Sequence, residues 1–357
     1  MTSTNTPLPD LSTSYSIIGS SSRVDVGRIL FESLYNFTRT HVGKYVGQAV
    51  QPPDYLEKLA SDNFSATFAL SNGTVAMKLA KDSFSHELWL DYAMSKHICD
   101  VFSVLNINGV NFPNFNSFMP RDNSQVWADM HKEYQFFTSA YLTERVPPIP
   151  LSLQLSLMKA FSKELDYVPI THDLASHDCL VRLYFGSLGG ATKHSGDDLP
   201  YNFELHLNHM IELGVSRPFY FAIVRDMATA LAALHWAACT AANGVKFVLG
   251  GPRERQRLDA TIAGHDQVCL WALNLEKAAC IPFGVDGVAM AVDAYMANDP
   301  YYPRPSQQDS TAKYVWLVFK EAYLSASNII FGPGHTSKHR LPVLFIEGIE
   351  DRLRDGR

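Results

Sequence analysis

The pattern of apolar and polar positions changes character along the chain. "SATFALSNGTVAMKLA" (65–80) holds two strand-like runs joined by Ser71-Asn72-Gly73, and Asn-Gly is a strong hairpin signal. "YSIIGSSSRVDVGRILFE" (15–32) has the same form around a Gly/Ser turn. In "SHELWLDYAMSKHICDVFSVL" (85–105), Leu88, Asp91/Tyr92, Ser95 and Ile98/Cys99 recur at helical spacing, with Ser83 or Ser85 as the cap. "NFPNFNSFMP" and "DNSQVWADM" read as loops and strands. "FFTSAYLTERVPPIP" is a strand running into a break at Pro147, Pro148 and Pro150. Beyond it, "LSLQLSLMKAFSKEL", "FELHLNHMIELG", "FYFAIVRDMATALAALHWAACTAA", "GVAMAVDAYMAN" and "KYVWLVFKEAYLSASNII" read as helices. "KFVLGG" and "VCLWALNL" read as one pair of short buried strands. The expectation is an α+β protein: a disordered tail over 1–14, a small β-rich N-terminal lobe over 15–148 with one prominent helix, and a larger, mainly helical lobe over 149–357.

Composition narrows the function classes. A chain of 357 residues is long enough for two lobes. A formal net charge of −6 argues against a nucleic-acid partner, which requires a basic face. The five cysteines form no CxxC pair and make no closed disulfide framework, so they read as reduced thiols. The first residues lack the charged-then-apolar pattern of a signal peptide. The longest uncharged stretch, "MATALAALHWAACTAANGV", contains Thr229, His235, Thr240 and Asn243, and so reads as a buried helix rather than a membrane span. A soluble, cytoplasmic protein without stable membrane insertion is expected.

The candidate chemistry centres on "LWALNLEK" (270–277), where an apolar run ends in Asn274, Glu276 and Lys277. If the strand continues, Asn274 and Glu276 share one face and Leu273 and Leu275 the other. The order of elements resembles protein kinase-like folds. "VAMK" ends at Lys78, where such folds place a phosphate-binding lysine, with Glu87 or Asp91 as its partner. Asn243 takes the place of the metal-binding asparagine, and Asn274 that of the metal-binding aspartate. The departures are as informative. "IIGSSSRVDVG" keeps only Gly19 and Gly27 of a glycine-rich phosphate cover, and no catalytic aspartate follows His235-Trp236. A working protein kinase is therefore not expected. His206 and His209 lie one helical turn apart, but no Cys or further His at metal spacing completes a zinc set. Asp299 is a candidate metal ligand, and Arg304 a candidate polyanion contact with a surface role as the plainer reading.

"ALAALHWAACTAANGVKFVLGG", "LWALNLEKA" and "AVDAYMANDPYYPRP", with "VAMKLAKD", resemble a fungal family of undefined function often labelled as zinc-finger proteins. Where most of that family carries an Asp-Phe-Asn-Gln type of run, this chain has Asn274-Leu275-Glu276-Lys277. That replacement resembles one subgroup, the α-humulene synthases of fungal tropolone sesquiterpenoid pathways. The resemblance implies a magnesium-dependent cyclase that converts farnesyl diphosphate to humulene. It implies Lys277 as the essential lysine and Leu273 as the residue controlling double-bond geometry. In that reading Asn243, Asn274 and Glu276 hold Mg²⁺, Lys78 adds charge at the phosphate, and Leu273 with Trp271 forms the apolar wall. The usual terpene-cyclase signatures are absent: "DDLPY" and "NDPYYPRP" match neither a DDxxD nor an NSE-type run. A mostly α, terpene-cyclase-like body is the alternative architecture, and a catalytically inactive kinase-like scaffold binding a protein or nucleotide is the alternative function.

Overall fold

The computed structural model describes residues 57–61, 63–70, 73–81, 84–121, 138–161, 179–189, 202–253, 268–305, 309–332 and 338–354. The expected tail, the run over 15–32, "DNSQVWADM" and Ser83 lie outside these residues. Within them the protein is α+β.

Five antiparallel strands form the first sheet: β1 (Glu57–Ser61), β2 (Ser65–Ala69), β3 (Val75–Ala80), β4 (Phe115–Met119) and β5 (Ala140–Glu144), in the order β1-β2-β3-β5-β4. The β2–β3 hairpin is the one legible in "SNG", with Gly73 at φ 71° supplying the left-handed turn residue. β3 is buried along its whole length. Val75, Met77 and Leu79 pack with Leu70, Met119 and Ala140 on one face. Lys78 alternates to the other face, where Ala80 packs with Leu88 and Tyr141. That face is covered by α1 (Ser85–Leu105), whose buried Leu88, Ser95, Ile98 and Phe102 recur at helical spacing. The cap differs from expectation. Phe84 precedes the helix without a side-chain cap bond, Ser85 is already its first residue, and Asn106 in the left-handed region (φ 54°) ends it.

The second sheet corrects the reading of a single strand pair. It has four strands in the order β7-β6-β8-β9, comprising β6 (Leu180–Tyr184), β7 (Asn202–His206), β8 (Lys246–Gly250) and β9 (Cys269–Leu273). "FELHLNHMIELG", expected to be helical throughout, begins as a strand and turns helical only at Leu207. In the strand Phe203 and Leu205 are buried while Glu204 is exposed, a period of two that pairs parallel with β6. Around this sheet lie α2 (Leu151–Phe161), α3 (Leu207–Glu212), α4 (Arg217–Trp236), α5 (Val285–Ala297), α6 (Ser310–Phe331) and α7 (Arg340–Arg354). α4 is buried on nearly every side and packs along α6, which explains its apolar sequence without a membrane. Among the described residues no helix is long and apolar enough to cross a membrane.

Two backbone crossings join the sheets. The segment after α1 reaches across at Asn111, whose N–H donates to Leu270 O (2.8 Å) and whose carbonyl accepts from Ala272 N–H (2.9 Å). The segment after β5 rests on Gly250 and Gly251: Gly251 N–H donates to Pro147 O at 2.7 Å, and a Cβ on Gly251 would stand 2.5 Å from Pro148 O. Arg253 ties the crossing at Asn111 to the end of β5. Its Nε and Nη2 grip Glu144 at 2.6 and 3.0 Å, Nη1 reaches Asn111 Oδ1 at 2.9 Å, and Nη2 also reaches Phe112 O at 2.7 Å. The guanidinium lies 4.9 Å from the centroid of the Trp271 ring.

Arg253→Ala leaves Glu144 without its bidentate partner and is expected to cost about 3 kcal/mol, read from urea unfolding. A second expectation concerns Asp226 on α4, which burial pushes up from 3.8 to about 7. The folded state holds this proton more tightly than the unfolded chain. Its stabilising effect is therefore full below pH 3.8 and lost as pH rises towards 7. Asp226→Asn is expected to raise the melting temperature clearly above pH 7 and only slightly near pH 3.8.

Candidate functional site

β9 stops at Leu273 because Asn274 takes a left-handed conformation (φ 61°, ψ 37°), which Asn tolerates better than most residues. Leu275–Lys277 then form one 3-10 turn. The alternating strand face expected for Asn274 and Glu276 is thus replaced by a turn. Leu275 is driven underneath and buried, Asn274 and Glu276 are half-buried, and Lys277 is exposed. The side chain of Asn274 does not cap the turn.

Beside this turn runs the loop between α4 and β8. Cys239 (φ 53°), Ala242 (φ 55°) and Gly244 (φ 64°) all take positive φ there. The strain at Cys239 and Ala242 is held by two backbone bonds, Ala241 N–H to Ala279 O at 2.8 Å and Ile281 N–H to Cys239 O at 2.9 Å. Asn298 adds a side-chain clamp: its Oδ1 accepts from Gly244 N–H at 2.6 Å and its Nδ2 donates to Ala242 O at 3.0 Å. Asn243 is thereby fixed with a buried Oδ1 that has no hydrogen-bond partner. Gly244 also makes room for Lys277, since a Cβ there would stand 2.8 Å from Lys277 Cδ and 3.0 Å from its Cβ.

On the other side of the turn, Lys78 Nζ lies 3.1 Å from Asp91 Oδ2 and 3.5 Å from Glu276 Oε1. The partner on α1 is therefore Asp91, and Glu87 is exposed. Burial by itself would lower the pKa of Lys78; Tyr141, Glu276 and Asp91 beside it outweigh that and raise it, so the amine stays charged. Tyr141 is raised by its own burial and stays neutral, with its ring centroid 6.0 Å from the ammonium. One cation thus ties β3, α1 and the 275–277 turn together.

Leu273 and Trp271 belong to a separate apolar cluster with Val248, Cys269, Val146 and Leu180. Leu273 is half-buried at its edge. Trp271 is fully buried, with its indole N–H bonded to Gly251 O at 3.1 Å, and it supports the layer from behind. Other candidates lie elsewhere. His206 and His209 meet edge to face at 5.2 Å between centroids, and His206 Nδ1 is 3.0 Å from the Ser187 hydroxyl. Asp299 accepts the Tyr301 hydroxyl at 2.8 Å, and Arg304 donates to the carbonyls of Met296 and Asn298. Asn298 and Tyr141 were missed from the sequence; both act through distant contacts that no local pattern encodes.

The oxygen donors fit a hard cation. The orphaned Oδ1 of Asn243, the amide of Asn274 and the carboxylate of Glu276 are the chemistry that Mg²⁺ accepts and zinc does not favour. Among the described residues no three His, Cys, Asp or Glu side chains come together as a metal-binding group.

A family model described as a zinc finger protein matches residues 270–334, from β9 to just past α6. That stretch contains Cys280 as its one cysteine and no histidine, so a zinc-finger ligand set does not lie within it. Comparison with curated proteins gives no match, and comparison with solved structures gives none either.

Gly244→Ala forces a side chain into the left-handed region and against Lys277, and is expected to cost about 1–2 kcal/mol. In a double-mutant cycle with Lys277→Ala, the part of that cost due to Lys277 Cδ should vanish, while the backbone part and the contact with Cβ remain, as measured by thermal or urea unfolding.

Proposed function

We propose that this protein is a magnesium-dependent sesquiterpene cyclase converting farnesyl diphosphate to humulene and diphosphate, built on a kinase-like two-lobe frame. The observation that carries the reading is the meeting of Lys78 with Glu276 on the turn that also holds Asn274 and Lys277, beside the Asn243-Gly244 loop and an apolar cluster. The frame is supported by the five-strand order, by a lysine on the third strand paired with a carboxylate on the following helix, and by an asparagine loop beside the end of β9.

In this reading the C1–O bond of the substrate breaks and the diphosphate leaves with the electron pair. The allylic cation closes from C1 to C11, and loss of a proton gives the neutral hydrocarbon. Charge accumulating on the leaving group needs cations placed beforehand, and the exposed ammonium of Lys277 is such a group. Mg²⁺ held by Asn243, Asn274 and Glu276 would neutralise further diphosphate charge. Leu273, at the edge of the apolar cluster and next to Asn274, would keep water from the hydrocarbon chain. A second reading, a kinase-like scaffold that binds a nucleotide without transferring phosphate, draws on the Lys78–Asp91 pair alone.

Purified protein with farnesyl diphosphate and Mg²⁺ is expected to release humulene, followed by gas chromatography, and excess EDTA is expected to stop it. Lys277→Ala should lower the rate by about 10²–10³, and Lys277→Gln should fail similarly because charge is what the leaving group requires. Leu273→Met should leave the fold within about 1.5 kcal/mol of the parent and shift the ratio of 2E to 2Z product. Full turnover by Lys277→Ala would reduce Lys277 to a surface lysine, and tight nucleotide binding with no hydrocarbon formed would move the assignment to the second reading.

A further inference from the structure

We infer that Arg182 and Lys246 join Lys277 in seating a diphosphate group at the mouth beside the 275–277 turn. The inference rests on the proposed cyclase reading for the identity of the substrate, and it adds two residues which that reading did not contain.

The strand register brings these cations together. Arg182 on β6 pairs with Val248 on β8, and Lys246, two residues before Val248, pairs with Leu273 on β9. Directly paired residues project to the same face, and positions two apart along a strand share that face. Arg182, Lys246 and Leu273 therefore leave the sheet on one side. The alternate positions Val181, Leu183, Phe247 and Leu249 fill the core on the other. Arg182 and Lys246 are diagonal neighbours, a separation that long side chains span. Lys277 approaches from the turn with its stem over Gly244, two residues before Lys246. None of these three cations makes an ion pair with a carboxylate among the described residues.

Such a grouping is unfavourable on its own. Lys246 is half-buried, and its pKa is lowered, first by burial and then by Arg182 and Lys277; Asp299 and Glu276 oppose the shift. Both carboxylates already have partners, Asp299 the Tyr301 hydroxyl and Glu276 the Lys78 ammonium. An anion arriving here meets three cations from three different elements. A diphosphate has two phosphoryl groups to spread across them, whereas a single carboxylate does not. Asn243, adjacent to Gly244, adds a buried Oδ1 that has no hydrogen-bond partner.

The test is calorimetric titration of inorganic diphosphate with Mg²⁺ into the full chain, with circular dichroism as the check on folding. Arg182→Gln and Lys246→Gln are each expected to weaken binding by about tenfold. Lys246→Arg, which keeps the charge, is expected to bind nearly as the parent does. Parent-like binding by folded Gln variants overturns the inference. So does a loss in Lys246→Arg as large as that in Lys246→Gln, and so does failure of the parent protein to bind diphosphate. Displacement by a farnesyl thiodiphosphate analogue but not by ADP identifies a prenyl ester as the source of the group, and the reverse identifies a nucleotide. Hydrocarbon formation is measured separately: a protein that binds diphosphate through Arg182 and Lys246 but makes no humulene keeps this site and loses the cyclase reading.

Discussion

The guanidinium of Arg253 is the constraint on which the rest depends. It is held by both oxygens of Glu144 at the end of β5, by Asn111 and Phe112 in the segment after α1, and by the Trp271 ring at the centre of β9. These groups come from both sheets and from the crossing at Asn111, so one planar cation ties the sheet that holds the Lys78 strand to the strand that ends at Leu273. Arg suits this role because its fork binds a carboxylate through two parallel bonds and its flat face lies on an indole. A lysine there would offer a point charge and lose the geometry.

From that tie follows the character of the mouth. The main chain near it is held in unfavourable conformations at Cys239, Ala242 and Asn274, where no glycine relieves the φ angle. Backbone pairing between 239–241 and 279–281, and the Asn298 clamp, keep them there. Strain of this kind persists only where surrounding contacts over-determine it, and here it presents Asn243 and the 275–277 turn towards each other.

Much of this arrangement was legible in the sequence for physical reasons. Asn72-Gly73, the long period of 85–105, the triple-proline break and the two short apolar runs at 246–250 and 269–273 carry local signals strong enough to survive tertiary context. β7 was misread because "FELHLNHMIELG" joins a short period-two run directly to a helix at Leu207, and one window averages the two. β6 was missed because "LVRLY" is short and its strand identity comes from parallel pairing with β7. At the site, the residue types at 274–277 were legible but their geometry was not, because the left-handed backbone at Asn274 ends the strand and turns Leu275 inward, which the spacing of residue types does not encode. Glu87 and Asp91 lie one turn apart on the same helix, and only the docking of α1 on β3 separates them.

Lys78 is one ammonium shared between carboxylates on two elements, Asp91 of α1 and Glu276 of the turn. A single charge divided in this way couples them thermodynamically. A ligand that draws on Lys78, or frees Glu276 to bind metal, changes how firmly α1 is held at Asp91. By linkage, whatever grips or displaces α1 from outside changes the affinity of the mouth by the same factor. The exposed outer side of that helix, including Trp89 and Leu90, is therefore energetically continuous with the site, although none of its residues lines it.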